Sequence, residues 1–216
     1  MTNINMENMK KNSYPGKFIV IEGLDGSGQS TQASLLKDHL SAILTKEPTK
    51  DSLVGKRIKK ILEKEETIGP FELQKLFADD RKEHLENVII PALEKGNTVI
   101  SDRYFFSSFA YGISEGLDFD SLIEINKDFL LPDLTIIIKV APELCLKRIE
   151  QRGSLVTLFE KTEKLKKVWA EYEKFANKFD NVYIIDGEKS IEEVFNKVKS
   201  LVLSQQKGGE YENITE

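Results

Sequence analysis

Apolar runs alternate with stretches of helical period along the chain. Phe18 to Glu22 holds four apolar residues in succession, which predicts a strand buried on both faces. Residues 29–41 place Leu35, Leu36 and Leu40 on one face of a helix. Ile43 to Thr45 is a short second strand, reached without a glycine. "LVGKRIKKILEKE" is amphipathic, with Ile58, Ile61 and Leu62 as its apolar positions. "FELQKLFADDRKEHLENVIIPALEKG" is a long helical pattern that Pro91 bends or interrupts and Gly96 stops. "NTVIS", "LTIIIKV" and "VYIID" read as the third to fifth strands. Between and after them lie helical patterns: "PELCLKRIEQR" with its early proline, "EKTEKLKKVWAEYEKFANKF", and "SIEEVFNKVKSLVL". In the last, Ser190 and Glu193 have the spacing of a capping box.

This alternation predicts an α/β fold, a doubly wound five-stranded parallel sheet with helices on both faces. In such folds ligands collect at the carboxyl ends of the strands. No linker divides the core, so residues 17–204 read as one domain. Residues 1–16 and 205–216 read as polar, disordered tails.

Composition narrows the function classes. With 216 residues, 40% hydrophobic and 31% charged, the chain suits one globular domain. A net charge of −5 argues against a broad nucleic-acid surface. Cys145 is the only cysteine, so no intrachain disulfide forms, and its apolar surroundings suit a small buried residue. No apolar run is long enough to span a bilayer and no secretory signal is evident, so the expected setting is cytoplasmic, with no membrane partner.

The chemistry concentrates in "GLDGSGQS", which follows the first strand and opens a helix. It matches the phosphate-loop pattern G-x-x-x-x-G-K-[ST] except that Gln29 replaces the lysine. Gly23, Gly26 and Gly28 permit backbone angles closed to other residues, so successive N–H groups can turn inward around a phosphate. The helix adds its positive end. Ser30 would place a hydroxyl on magnesium, and Thr31 continues the turn.

"FIVIEGLDGSGQSTQ" resembles the opening of thymidylate kinases, whose loop usually reads GxDGSGKSTQ. The resemblance extends over residues 17–200. "TKEPT" is similar to the family's T-R-E-P segment, "LFADDRKEH" to its F-x-x-x-R helix, and "SDRYFFSSFAY" to its D-R-Y…S-x-x-A-Y segment. "LPDLTIIIKVAPELCLKRIEQR" is similar to the P-D-L-T strand and the helix that leads to a mobile lid. "IIDGEKSIEEV" is similar to the closing strand and helix. The resemblance implies a nucleoside monophosphate kinase that transfers the γ-phosphoryl of ATP to dTMP with Mg2+, a step toward dTTP, in a homodimer. Its lid would span about residues 150–163.

It also implies roles. Gly23, Leu24, Asp25, Gly26, Ser27, Gly28, Gln29, Ser30 and Thr31 would bind ATP. Ser30 and Asp102 would serve the metal. Arg103 would hold the acceptor's phosphate, which its planar fork suits and a lysine would not. Asp25 would meet the sugar's 3′-hydroxyl or the metal-bound water, and Glu47 would arrange the same region. Phe77 and Arg81, four apart on one helical face, are by spacing alone a core ring and a surface charge; the resemblance implies that the ring stacks on thymine and that the arginine lies near the base or the phosphate. Ser107, Ser108 and Tyr111 lie along one helix face, with Ser108 toward the base and Tyr111 against the sugar.

Three departures matter. Lys46 stands where the family usually has arginine, which keeps the charge and loses the fork. Gly112 replaces a frequent glutamine on the base side. Gln29 removes a charge from the donor's phosphates, a change worth about 10²–10³ in rate in a preorganised site. Arg152 at the lid's entry is expected to be catalytic with Arg103 and Gln29. Arg152, Lys161 or Lys164 would supply the missing charge on closure. Two alternatives stay open: a nucleotide-binding protein with weak or no kinase activity, and a kinase for another (deoxy)nucleotide.

Overall fold

The structure, a computed structural model, describes residues 9–151 and 158–206. Strands β1 (Phe18–Gly23), β2 (Ile43–Lys46), β3 (Val99–Asp102), β4 (Leu134–Lys139) and β5 (Val182–Asp186) pair in parallel in the order β2-β3-β1-β4-β5. All six residues of β1 are buried, as are five of the six in β4. Continuous apolar runs are what central strands covered on both faces require. β2 is an edge strand, with Ile43 and Leu44 partly exposed, and it is correspondingly short.

Helices α1 (Gln29–Leu40) and α9 (Ile191–Gln206) pack together beside the sheet; α5 (Phe105–Ser114) and α8 (Leu158–Ala176) pair separately. A phenylalanine cluster fastens that second pair. Phe106 is fully buried, with its ring centroid 5.6 Å from that of Phe175 and 5.5 Å from that of Phe179. Burial of such a ring contributes about 3–5 kcal/mol, judged by truncation to alanine. The cluster matters to function because α5 begins two residues after Arg103 and carries Tyr111.

The chain departs from the sequence-based expectation in four places. Residues 9–16 are ordered: Met9 is buried, Lys10 bridges to Leu130, and the Gly16 amide donates to the Leu93 carbonyl at 2.9 Å. A polar composition hid the anchors, buried Met9 and half-buried Tyr14. The long helix is not broken at Pro91. α3 (Pro70–His84) passes through a π-helical turn, Leu85–Ile89, into α4 (Ile90–Glu94). The widened turn precedes the proline, which has no N–H to give the ladder. The short α6 (Phe119–Glu124), capped by Asp118 accepting from the Ser121 amide at 3.0 Å, shows no helical period long enough to read. α9 continues to Gln206, past the expected domain end.

The remaining helices, α2 (Leu53–Leu62) and α7 (Pro142–Glu150), were legible. In α2 only Ile58 of the three apolar positions is fully buried; Leu62 is exposed. The capping box closes as expected, with the Ser190 amide 3.0 Å from Glu193 Oε2 and the Glu193 amide 3.3 Å from Ser190 Oγ.

Candidate active site

The glycine loop joins β1 to α1 and turns sharply at two left-handed glycines. Gly26 has φ +88° and Gly28 has φ +94°. At Gly26 a Cβ would lie 2.4 Å from the Cys145 carbonyl oxygen, so α7 can press on the loop only because no side chain is there. The Ser27 amide donates to Leu24 O at 3.0 Å, and the Thr31 amide to Gly28 O at 3.0 Å, which winds the loop into the helix. Arg148 of α7 lies across its back, with one guanidinium nitrogen 3.4 Å from Gly26 O and 3.2 Å from Ser27 O. Burial pushes the adjacent Cys145 thiol up to about 12, so this cysteine is packing and not a nucleophile.

Gln29 begins α1 and is only 5% exposed. Its Oε1 accepts from Ser27 Oγ at 3.4 Å, which folds the amide against the loop. The next residue points elsewhere. Ser30 Oγ donates to Asp102 Oδ2 at 2.5 Å. Asp102 ends β3, and the sheet register sets it beside Lys46, the last residue of β2. Lys46 Nζ lies 2.7 Å from Asp102 Oδ2 and 3.4 Å from Ser30 Oγ. Asp102 Oδ1 is buried and has no hydrogen-bond partner among the described residues.

All eight residues expected to contact the acceptor line one cavity of about 490 Å³: Asp25, Glu47, Phe77, Arg81, Arg103, Ser107, Ser108 and Tyr111. Arg103 follows β3 in a left-handed conformation, φ +77°, rare for a side chain of its size. Neighbouring bonds hold it there: its amide donates to Ile21 O at 2.9 Å, and its carbonyl accepts from Ser101 Oγ at 2.7 Å. Its guanidinium reaches Gly23 O at 3.1 Å, Ser107 Oγ at 2.9 Å and Asp25 Oδ1 at 2.7 Å. Tyr111 donates to Asp25 Oδ2 at 2.9 Å. Burial drives the Tyr111 phenol well up, so it remains a donor at any working pH.

Arg81 is 1% exposed. It donates to Glu47 Oε2 at 2.8 Å, Asn126 Oδ1 at 2.5 Å and Ser108 Oγ at 3.1 Å, and its guanidinium stacks 5.1 Å from the Tyr104 ring centroid. His84 Nδ1 lies 3.1 Å from the other Glu47 oxygen, and its Nε2 meets Thr45 Oγ1. Spacing alone made Arg81 a surface charge; burial of its partner carboxylate draws it inside. Sequence reasoning missed Asn126, His84 and Glu22. Glu22 precedes the loop and, fully buried, accepts from the amides of Tyr104 and Ser107 at 2.9 and 3.1 Å, from Ser107 Oγ at 2.5 Å and from Tyr172 OH at 3.0 Å. An acidic residue inside an apolar strand, just before the loop, was the available signal. Asn126 offered none.

Of the expected lid cations, Lys164 forms an ion pair with Glu115 at the cavity's edge. Arg152 and the side chain of Lys161 lie outside the described residues.

A phosphate loop at the carboxyl end of β1, beside a cavity lined by a forked cation and aromatic rings, defines a P-loop nucleoside monophosphate kinase fold. The chain belongs to the thymidylate kinase family, whose family model, described as "Thymidylate kinase", matches residues 21–198. A probable thymidylate kinase of Pyrococcus horikoshii is 41% identical over 197 residues, which cover 87% of this chain and 96% of that protein. A thymidylate kinase of Caldicellulosiruptor saccharolyticus is 37% identical, with 87% and 96% covered. Among solved structures, thymidylate kinase from Candida albicans superposes with a TM-score of 0.76 at 29% identity, over 90% of this chain and 94% of that one.

Proposed function

We propose that the protein phosphorylates dTMP to dTDP with ATP as donor. The observation that carries this is the convergence of Phe77, Arg81, Arg103, Ser108 and Tyr111 on one cavity that Asp25 joins to the phosphate loop. The loop amides and the start of α1 hold the donor's phosphates. Arg103 presents its fork to the acceptor's phosphate at the seam between the two sites. Phe77 stacks on the base, and Arg81, fixed by Glu47 and Asn126, directs Ser108 toward the base edge. Tyr111 and Asp25 border the sugar. Phosphoryl transfer asks little more of a protein than this alignment and charge placement.

Magnesium fits the Ser30–Asp102 pair. Both supply hard oxygen, Asp102 Oδ1 is a buried acceptor awaiting a donor or a cation, and an ammonium already rests on Oδ2. When bound, the ion would neutralise phosphate charge and orient the terminal phosphate.

In this reading the enzyme is a cytoplasmic homodimer. Exposed Ile43 and Leu44 on the edge strand β2 offer apolar surface to a second copy. No helix among the described residues is long and apolar enough to cross a membrane. A coupled assay tests the reaction: ADP should form from MgATP only when dTMP is present, faster than with dUMP, dCMP or dGMP. Retained nucleotide binding with no dTMP-dependent turnover overturns it.

A further inference from the structure

We propose that Lys46 supplies the positive charge that position 29 lacks. This deepens the phosphoryl-transfer reading and rests on it. Gln29 leaves the loop without its ammonium, and its amide is turned inward onto Ser27. Arg103 is shared between Gly23 O, Ser107 and Asp25. Arg148 lies behind the loop on backbone carbonyls, and Lys164 is paired with Glu115.

Lys46 differs from these in what holds it. Its two partners, Ser30 Oγ and Asp102 Oδ2, are the oxygens that the proposed reading assigns to the metal beside the donor's phosphates. Its side chain is 41% exposed, so it can swing without breaking the core. It borders both cavities, that of the acceptor and that beside Ser30. β2 holds the lysine on a rigid strand end, one pairing from Asp102. Once the two oxygens are engaged elsewhere, the ammonium is left within reach of the phosphates bridging donor and acceptor. An arginine at this position would fork onto one phosphate; a lysine is a compact point charge on a flexible stem and can serve the position from which the loop's own lysine is missing.

A cycle of four proteins tests this: the unmodified chain, Lys46→Met, Gln29→Lys, and the double variant. The first readout is ATP affinity by calorimetry with divalent metal chelated and no acceptor. Lys46→Met should weaken ATP about tenfold to a hundredfold in the Gln29 background and by only about twofold in the Gln29→Lys background. The second readout is steady-state turnover. Lys46→Met should lower kcat about 10²-fold in the Gln29 background and by no more than about tenfold beside Gln29→Lys, and Lys46→Arg should retain intermediate activity. Equal losses in both backgrounds, in both readouts, overturn the proposal. So does a loss confined to KM for dTMP with ATP affinity unchanged, which would place Lys46 on the acceptor alone. The two readings fail separately. Coupled ATP affinities with no turnover in any variant would overturn the kinase reading and support the assignment of Lys46, whereas additive effects with active enzyme overturn the assignment alone.

Discussion

At the scale of single residues, the cavity proposed for the acceptor is a chain of charges each fixed by another. Arg81 and Glu47 are 1% and 3% exposed, so neither can rely on water if its partner is removed. Arg81→Met leaves a buried carboxylate beside His84, and the variant should lose about 3–5 kcal/mol of stability by urea unfolding. Tyr111→Phe keeps the ring and removes the hydroxyl that steadies Asp25 Oδ2; kcat/KM for dTMP should fall about tenfold, with the melting temperature little changed. A Cβ at Gly112 would lie 2.9 Å from Leu122 Cδ1, so the position faces α6. Beyond that helix, Asn126 brings its amide oxygen to Arg81. The site's loop, Arg103 and Tyr111 were legible because each follows a strand at a fixed offset. Asn126 and His84 were not, because their places depend on how distant elements pack.

At the scale of elements, β1, the glycine loop and α1 act together. The loop's path depends on Gly26, where the backbone is left-handed and Cys145 O occupies the side-chain direction. Gly26→Ala should shift the loop and weaken ATP at least tenfold by calorimetry, with about 1–3 kcal/mol lost in stability from strain. The elements themselves were readable to the extent that their burial left a period. β1 and β4 declared themselves as apolar runs, and α9 by its capping box. β2, a half-exposed edge of four residues, was still readable as a short apolar run, whereas α6 spans six residues, too few for a period to show. The passage of α3 through a π turn was invisible for another reason: Pro91 announces a disruption, while neighbouring packing decides between a break and a widened turn.

At the scale of the whole molecule, one buried acid ties sheet, active site and helical layer together. Glu22 on β1 accepts from α5 and from Tyr172 of α8. Burial outweighs those donors and the nearby Arg103 charge, and raises its carboxyl above the ordinary 4.5. A raised folded-state value gives a stabilising contribution that is complete below 4.5 and is lost as pH rises through the raised value. As pH rises above 4.5 the unmodified chain should therefore lose stability relative to Glu22→Gln, as read from urea midpoints. An unchanged difference across that range would mean Glu22 titrates alike in folded and unfolded chains.

In the proposed reading, a phosphate loop without its lysine still transfers phosphate to dTMP. The most direct test is product stoichiometry with the unmodified chain, MgATP and dTMP, following ADP and dTDP together. One dTDP should form for each ADP, with turnover lost in Arg103→Met. ATP bound and no dTDP formed, or ADP released without dTMP, would contradict it.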